Sequence, residues 1–236
     1  VSVNPPASTV DKIDQRVLFV DRENKAALLE SVLGDQSIEK ALIFARTKHG
    51  ANKIVKNLGR ARIQADAIHG NKSQSARMEA LKNFRAGKVQ VLVATDIASR
   101  GLDVDGITHV INYELPNEAE SYVHRVGRTA RAGAVGVALS FCDAGEKGYL
   151  HQIEKTINRV VNVVEDHPYH SASIASKRTS GIGAGKKSSG RRYGNPSNSG
   201  DSRKPGKNQN RKKFFSAKPG KRSSFKSRTP RSAVSA

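Results

Sequence analysis

The chain has 236 residues, with 41 Lys/Arg against 21 Asp/Glu, a net charge of +20 and a single cysteine. That length allows one or two domains. The lone Cys142 excludes an intrachain disulfide, the lack of a Cys/His cluster excludes a zinc framework, and no apolar run approaches the ~18 residues of a membrane span, so a reducing, cytoplasmic setting without a membrane is expected.

Residues 1–14 read as an extended lead-in, since Pro5-Pro6 disfavours helix. Val1 to Pro6 has no charged start followed by an apolar core, so it is no signal peptide. It also lacks an initiator Met, which points to a longer parent chain. Ile13 to Val20 is a predicted strand. Asp21 can cap a helix over about 22–33, where Ala26, Leu29, Val32 and Leu33 recur at helical spacing. Ala41-Leu42-Ile43-Phe44-Ala45 is a continuous apolar run, as in a strand covered on both faces. A helix over about 49–59 follows, ending at Gly59.

The unit then repeats. Ile63 to Ile68 is a strand and His69-Gly70 a turn. Ser73 can cap a helix reaching about Ala86, with Gly87 as its C-cap. Val89 to Ala94 is the most apolar strand, and Thr108 to Asn112 another. A helix from about Glu118, a strand Gly136 to Phe141 and a helix over about 145–158 complete the pattern. Alternating strands and helices with short connections predict a doubly wound, mainly parallel α/β sheet with helices on both faces, spanning residues 15–166. Ligands on such sheets bind beyond the carboxyl ends of the strands. Function is therefore expected in the loops after strands 41–45, 63–68, 89–94 and 108–112.

From about His167 the apolar periodicity stops. Residues 167–236 hold 18 Lys/Arg and one acid, Asp201, so they carry +17 and leave +3 for residues 1–166. A stretch this polar cannot bury enough apolar surface to offset its ordering entropy, and it reads as a disordered polycationic tail. Lys and Arg interleaved with Tyr193, Phe214, Phe215 and Phe225 suit loose contacts to single-stranded nucleic acid.

Several runs carry chemistry. His124 to Gly133 places Arg125, Arg128 and Arg131 at intervals of three, which on a helix keeps them on one side. No position three or four away from any of them is Asp or Glu, so the three guanidiniums are expected to need an outside anion, and phosphate suits their geometry. Val91 to Asp96 ends a strand in Thr95 and Asp96 and continues through Arg100-Gly101-Leu102-Asp103. Thr95 can offer a hydroxyl and a backbone N–H to phosphate, and Asp103 can accept from a ribose hydroxyl. Gln74 and Arg77 lie one turn apart near a helix start, where phosphates are favoured. Gly181 to Ser188 imitates a phosphate-binding P-loop, but the first glycine position is Ser180, Lys187 follows Lys186, and no apolar strand precedes it. His124 has no nucleophile or acid placed beside it by the sequence, and Cys142 reads as core.

Taken together, these segments resemble the second RecA-like domain of superfamily 2 helicases, specifically the DEAD-box RNA helicases. Ala41 to Lys48 resembles motif IV, Gln74 and Arg77 its Q-x-x-R extension, Ala94 to Asp103 motif V, and His124 to Arg131 motif VI. Order and spacing match over about residues 8–160. The basic Gly/Ser/Asn-rich tail resembles the bacterial RhlE-type branch. Ala130 stands where the family more often has Gly, and no loss is expected from it.

The resemblance implies a role for each matching residue. Arg128 and Arg131 would be arginine fingers reaching the γ-phosphate of ATP held by a first domain. Asp103 would contact the ribose, with Arg100 supporting the site. Thr47, Gly70, Gln74, Arg77, Thr95 and Asp96 would lie along the RNA backbone. His124 and Arg125 would couple the two domains, and no residue here would ligate metal. The P-loop, the Asp-Glu-Ala-Asp site for Mg2+ and the adenine-reading loop belong to the family's first domain and are not in this sequence. The expectation is therefore the C-terminal half of an ATP-dependent RNA helicase, inactive alone, whose partners are RNA and ATP shared with an N-terminal RecA-like domain. The alternative is a stand-alone nucleic-acid-binding or annealing module without ATPase activity. The RNA target, protein partners and oligomeric state are not set by the sequence.

Overall fold

The computed structural model describes residues 13–99, 102, 104–131 and 135–179. Expectations for the lead-in up to residue 12, for Arg100, Gly101 and Asp103, for 132–134, and for 180–236 with its P-loop-like run lie outside the described residues. Among the described residues, seven parallel strands form one sheet. They are β1 (Ile13–Phe19), β2 (Ala41–Phe44), β3 (Ala65–Ile68), β4 (Val91–Ala94), β5 (His109–Asn112), β6 (Gly136–Cys142) and β7 (Asn162–Val163). Their order across the sheet is β3-β4-β2-β5-β6-β1-β7. The helices are α1 (Lys25–Leu33), α2 (Lys48–Arg60), α3 (Gln74–Arg85), α4 (Asp96–Ser99), α5 (Ala119–Val126), α6 (Lys147–Thr156) and α7 (Ala172–Thr179).

The central strands are apolar throughout because both faces are covered. Alternate side chains point to opposite faces. Ile43, Val93 and Ile111 join Leu18, Leu28, Leu29, Ile54 and Leu58 under α1 and α2. Leu42, Phe44, Leu92, Ala94 and Val110 pack with Phe84 of α3 and Ala98 of α4 on the other side. There too Val17, Phe19 and Ala138 meet Tyr122 and Val126 of α5 and Leu150 and Ile153 of α6. Ser73 caps α3 as its sequence predicts, accepting from the Ala76 amide at 3.2 Å. Gly87 ends that segment at φ +72, a conformation that suits glycine. Asp21 stands before the turn Arg22–Asn24 without making a side-chain cap bond; its Oδ1 accepts from Ser171 Oγ at 3.2 Å instead.

The folded region extends beyond the expected boundary at residue 166. Val164 donates to the Val17 carbonyl at 2.9 Å, and the Ser171 amide to the Phe19 carbonyl at 2.9 Å. His170 pairs antiparallel with Val20, and Ile174 of α7 is buried among the β1, α5 and α6 side chains. The expectation of disorder from residue 167 is thus corrected for 167–179. The bonds of this segment to Phe19 and Val20 are made by backbone, which needs no apolar periodicity.

Candidate functional site

The carboxyl ends of β3, β4, β2 and β5 stand level: Ile68 pairs with Ala94, Ala94 with Phe44, and Phe44 with Asn112. Three expected residues therefore emerge from adjacent strands along one rim. Gly70 follows β3 and is exposed; Thr95 follows β4, its amide on the Ile68 carbonyl at 3.3 Å; Thr47 follows β2. Thr47 is the N-cap of α2, accepting from the Gly50 amide at 3.0 Å. Gln74 opens α3 and is exposed, and Arg77 lies beside α4 with Nη2 3.5 Å from the Ala98 carbonyl. This rim gathers hydroxyls, a guanidinium and the N-terminal turns of α2 and α3, a set suited to a chain of phosphates.

Two expectations about the arginines are corrected here. First, the three do not share one helix: α5 ends at Val126, with Gly127 as C-cap. Second, Arg125 needs no outside anion. Its side chain is 1% exposed. Nε donates to Asp96 Oδ1 at 2.6 Å and Nη2 to Asp96 Oδ2 at 2.8 Å. Nη1 donates to Asn112 Oδ1 at 3.1 Å and to the Glu114 carbonyl at 2.7 Å. The guanidinium carbon also stands 4.9 Å from the Phe44 ring centroid, a cation–π contact. The carboxylate absent from the local sequence is supplied 29 positions upstream, by the rim residue Asp96. Asp96 was expected along RNA, and its carboxylate is engaged by Arg125. His124, its neighbour, is exposed.

Arg128 and Arg131 are set differently. Arg128 is half-buried, and its Nη1 donates to the Leu102 carbonyl at 3.1 Å. Among the described residues it forms no ion pair. Burial, and then the charge of Arg131, weaken its hold on its proton. Arg131 Nε lies 3.4 Å from the Gly127 carbonyl. The turn that carries both arginines is pinned by Thr129, whose hydroxyl donates to the Ile107 carbonyl at 2.6 Å and lies 3.2 Å from that of Thr108. Asp103, the expected ribose contact, and Arg100, expected to support the site, lie outside the described residues.

The family profile described as "Helicase conserved C-terminal domain" matches residues 24–133. The chain is 43% identical over 159 residues to the DEAD-box ATP-dependent RNA helicase CshA of Geobacillus kaustophilus, covering 67% of this chain and 34% of that protein. It is 42% identical over 166 residues to CshA of Bacillus subtilis, covering 70% and 34% respectively. Among solved structures it resembles E. coli DEAD-box protein SrmB bound to regulator of ribonuclease activity A, with a TM-score of 0.63 and 34% identity over 64% of this chain and 90% of that one. The chain belongs to the DEAD-box family. It spans about a third of the length of the curated DEAD-box relatives it matches.

This DEAD-box domain carries a buried ionic network that the sequence reading missed. Glu114, in the loop after β5, accepts from the Arg46 amide through Oε2 at 2.8 Å. The Arg46 guanidinium lies 3.0 Å from Glu146 Oε1, 3.6 Å from Glu114 Oε1, and over the Tyr149 ring. Lys25 lies 2.5 Å from Glu146 Oε2 and 3.1 Å from Asp143. Burial raises the Glu146 carboxyl above its usual range, and Lys25 opposes that rise. Only the positions of Arg46 and Glu114 just past strand ends hinted at such roles. Among the described residues no helix is long and apolar enough to cross a membrane, and no group of three or more His, Cys, Asp or Glu could hold a metal ion.

Proposed function

We propose that this chain is the C-terminal half of an ATP-dependent RNA helicase that couples ATP binding and hydrolysis to RNA unwinding or remodelling. The observation that carries this reading is the pair Arg128 and Arg131. Both are half-buried, and among the described residues Arg128 forms no ion pair and is held by its bond to the Leu102 carbonyl. ATP fits that pair, with its phosphates and Mg2+ held by a P-loop domain elsewhere in the full protein. The two guanidiniums neutralise charge that develops as the phosphoryl group transfers. Thr47, Gly70, Gln74, Arg77 and Thr95 line the RNA. Arg125 links the rim to the arginine turn, and exposed His124 faces the partner domain. The family resemblance gives Asp103 the ribose contact and Arg100 a supporting role. The RhlE-type placement rests on the basic tail alone, whereas the chain is similar to CshA helicases and to SrmB.

The test joins the chain to a P-loop-bearing first domain and measures RNA-stimulated ATP hydrolysis. Trans-acting arginines contribute about 10³–10⁵ in rate, and two adjacent ones can share it. Arg128→Ala and Arg131→Ala are expected to lower turnover while ATP still docks on the other domain. Arg→Lys is expected to rescue incompletely, because a point charge lacks the guanidinium fork. Wild-type turnover in both Ala variants, singly and together, would refute the assignment. The alternative, an annealing module without ATPase activity, predicts RNA annealing but no hydrolysis by the joined protein.

A further inference from the structure

The geometry points to Glu114 as the positioning residue that holds Thr47 on the RNA rim in register with Arg125. Glu114 occupies the loop after β5, and both its side chain and its backbone are committed. The carboxylate receives the Arg46 amide at 2.8 Å, and Arg46 is the residue immediately before Thr47. The Glu114 carbonyl receives Arg125 Nη1 at 2.7 Å. Its own amide and that of Tyr113 reach the Phe44 carbonyl at 3.4 and 3.2 Å, so the loop is tied to the end of β2. The Leu115 amide behind it is held by Glu146 Oε1 at 3.2 Å.

The α2 terminus is built around this carboxylate. A Cβ at Gly50 would stand 3.1 Å from Thr47 Oγ1 and 3.6 Å from Glu114 Oε2. Glu114 thus packs against the first turn of the helix that Thr47 caps. A negative charge there is favourable, because that turn exposes unpaired amides. The result is a continuous path: Thr47, the Arg46 amide, Glu114, Arg125, then Asp96 beside Thr95. Two rim hydroxyls from non-adjacent chain segments are set relative to one another through one glutamate and one arginine. The Lys25–Glu146 pair differs, since Lys25 touches neither Thr47 nor Arg125. This role for Glu114 rests on the proposed reading of the rim as the RNA contact.

Two conservative variants separate geometry from charge. Glu114→Gln keeps the reach and an acceptor but loses the charge. Glu114→Asp keeps the charge but draws the acceptor back by about one C–C bond, roughly 1.5 Å, which breaks the bond to the Arg46 amide. In the two-domain protein, Glu114→Asp is expected to raise the RNA concentration for half-maximal ATPase about two- to thirtyfold, the range for residues that transmit coupling. Glu114→Gln is expected to stay within about twofold of wild type. Adding Glu114→Asp to Thr47→Ala is expected to change little further, because both act on one contact. A wild-type RNA response in Glu114→Asp, equal impairment of the two variants, or additivity with Thr47→Ala overturns the proposal.

A second measurement uses the 236-residue chain alone, without RNA or ATP. Hydrogen exchange at the Gly50 amide, which Thr47 caps, is expected to be faster in Glu114→Asp than in Glu114→Gln or wild type. Equal rates in all three overturn the positioning role. If the two-domain wild type shows no RNA-stimulated hydrolysis, the functional reading fails while this exchange measurement still decides the role of Glu114.

Discussion

Arg125 and Asp96 form a two-pronged ion pair, Nε to Oδ1 at 2.6 Å and Nη2 to Oδ2 at 2.8 Å, between a guanidinium that is 1% exposed and a carboxylate that is 34% exposed. The pair joins the first residue of α4 to the last turn of α5. Breaking a buried pair by removing one partner strands the other charge and costs about 3–5 kcal/mol. Here Asn112 and the Glu114 carbonyl remain on Arg125, so Asp96→Ala is expected near the low end, about 3 kcal/mol. Adding Arg125→Met, which removes the stranded charge, is expected to recover part of that loss. Urea unfolding of the 236-residue chain measures both. A wild-type midpoint for Asp96→Ala would show that the pair does not support the fold.

The turn carrying Arg128 is packed against β6 with no room to spare. A Cβ at Gly136 would lie 2.3 Å from Thr129 Oγ1, 2.5 Å from its Cγ2 and 2.7 Å from the Ala130 nitrogen. Gly136→Ala must therefore push Thr129 off the Ile107 carbonyl. Overpacking of this kind costs about 1–3 kcal/mol. Thr129→Ala removes both crowded side-chain atoms but leaves the Ile107 carbonyl unpaired, a loss of about 1–3 kcal/mol. The double variant is expected to lose less than the sum, since its second change relieves the first. Strict additivity in urea midpoints would mean that the two residues do not meet.

These contacts mark where sequence reading stops. The strands Ala41–Phe44 and Val91–Ala94 are legible because burial on both faces leaves continuous apolar runs. The Ser73 cap is legible because capping is local. Rim positions such as Thr47, Gly70 and Thr95 are legible too, because a parallel sheet delivers its strand ends to one side. The partner of Arg125 is not legible, since it comes from 29 positions away and no periodicity encodes it. The Arg46–Glu114 contact spans 68 positions and is hidden for the same reason. The order of residues 167–171 is not legible because it comes from backbone bonds to the end of β1 and to Val20, which leave composition polar.

Ala130 is in the left-handed region, at φ +55. The family resemblance implies glycine there more often, and this backbone corrects the expectation that alanine brings no loss. An L-residue in that conformation is disfavoured by roughly 1–2 kcal/mol. Glycine relieves this but loses about 0.4–1 kcal/mol through the greater freedom of the unfolded chain. Ala130→Gly is therefore expected to stabilise the chain by about 0.5 kcal/mol net, read as a higher urea midpoint. A lower midpoint would mean that the Ala130 methyl, buried in the β1–α5–α6 core, contributes more than the backbone strain removes.

Stability is expected to fall with acid because of three histidines. Burial is the main cause that holds His69, His109 and His167 below the ordinary imidazole value of 6.5. Around His167, the charge on His170 adds to this and Asp166 opposes it; for His109, Arg16 adds and Asp35 opposes. The unfolded state therefore binds protons more readily than the folded state, so stability rises with pH in this range. Their contribution is complete above about 6.5 and is lost as pH falls from there through the lower folded values. The urea midpoint is expected to drop between about pH 7 and pH 5, and His109→Gln with His167→Gln to flatten that drop. An unchanged slope in the double variant would place the acid sensitivity elsewhere.

The last prediction concerns where to cut the chain. Residues 180–236 hold 16 Lys/Arg and one acid, so they carry +15 and leave +5 for residues 1–179. Affinity for single-stranded RNA that comes from phosphate neutralisation falls with salt at a log–log slope of about −0.7 per phosphate. A chain ending at Thr179 is expected to bind non-specific RNA weakly and with a much shallower slope than the full chain, while unfolding at the same urea midpoint. A chain ending at Asp166 is a poor control. It loses the Ser171 amide on Phe19, the pairing of His170 with Val20, and the buried Ile174, all of which cover β1. It is expected to unfold earlier, so its weak binding would confuse a lost tail with a damaged domain. Equal RNA affinity and equal salt slope for the full chain and the chain ending at Thr179 would refute the tail as the source of non-specific binding, and the rim of β2, β3 and β4 would then have to supply it.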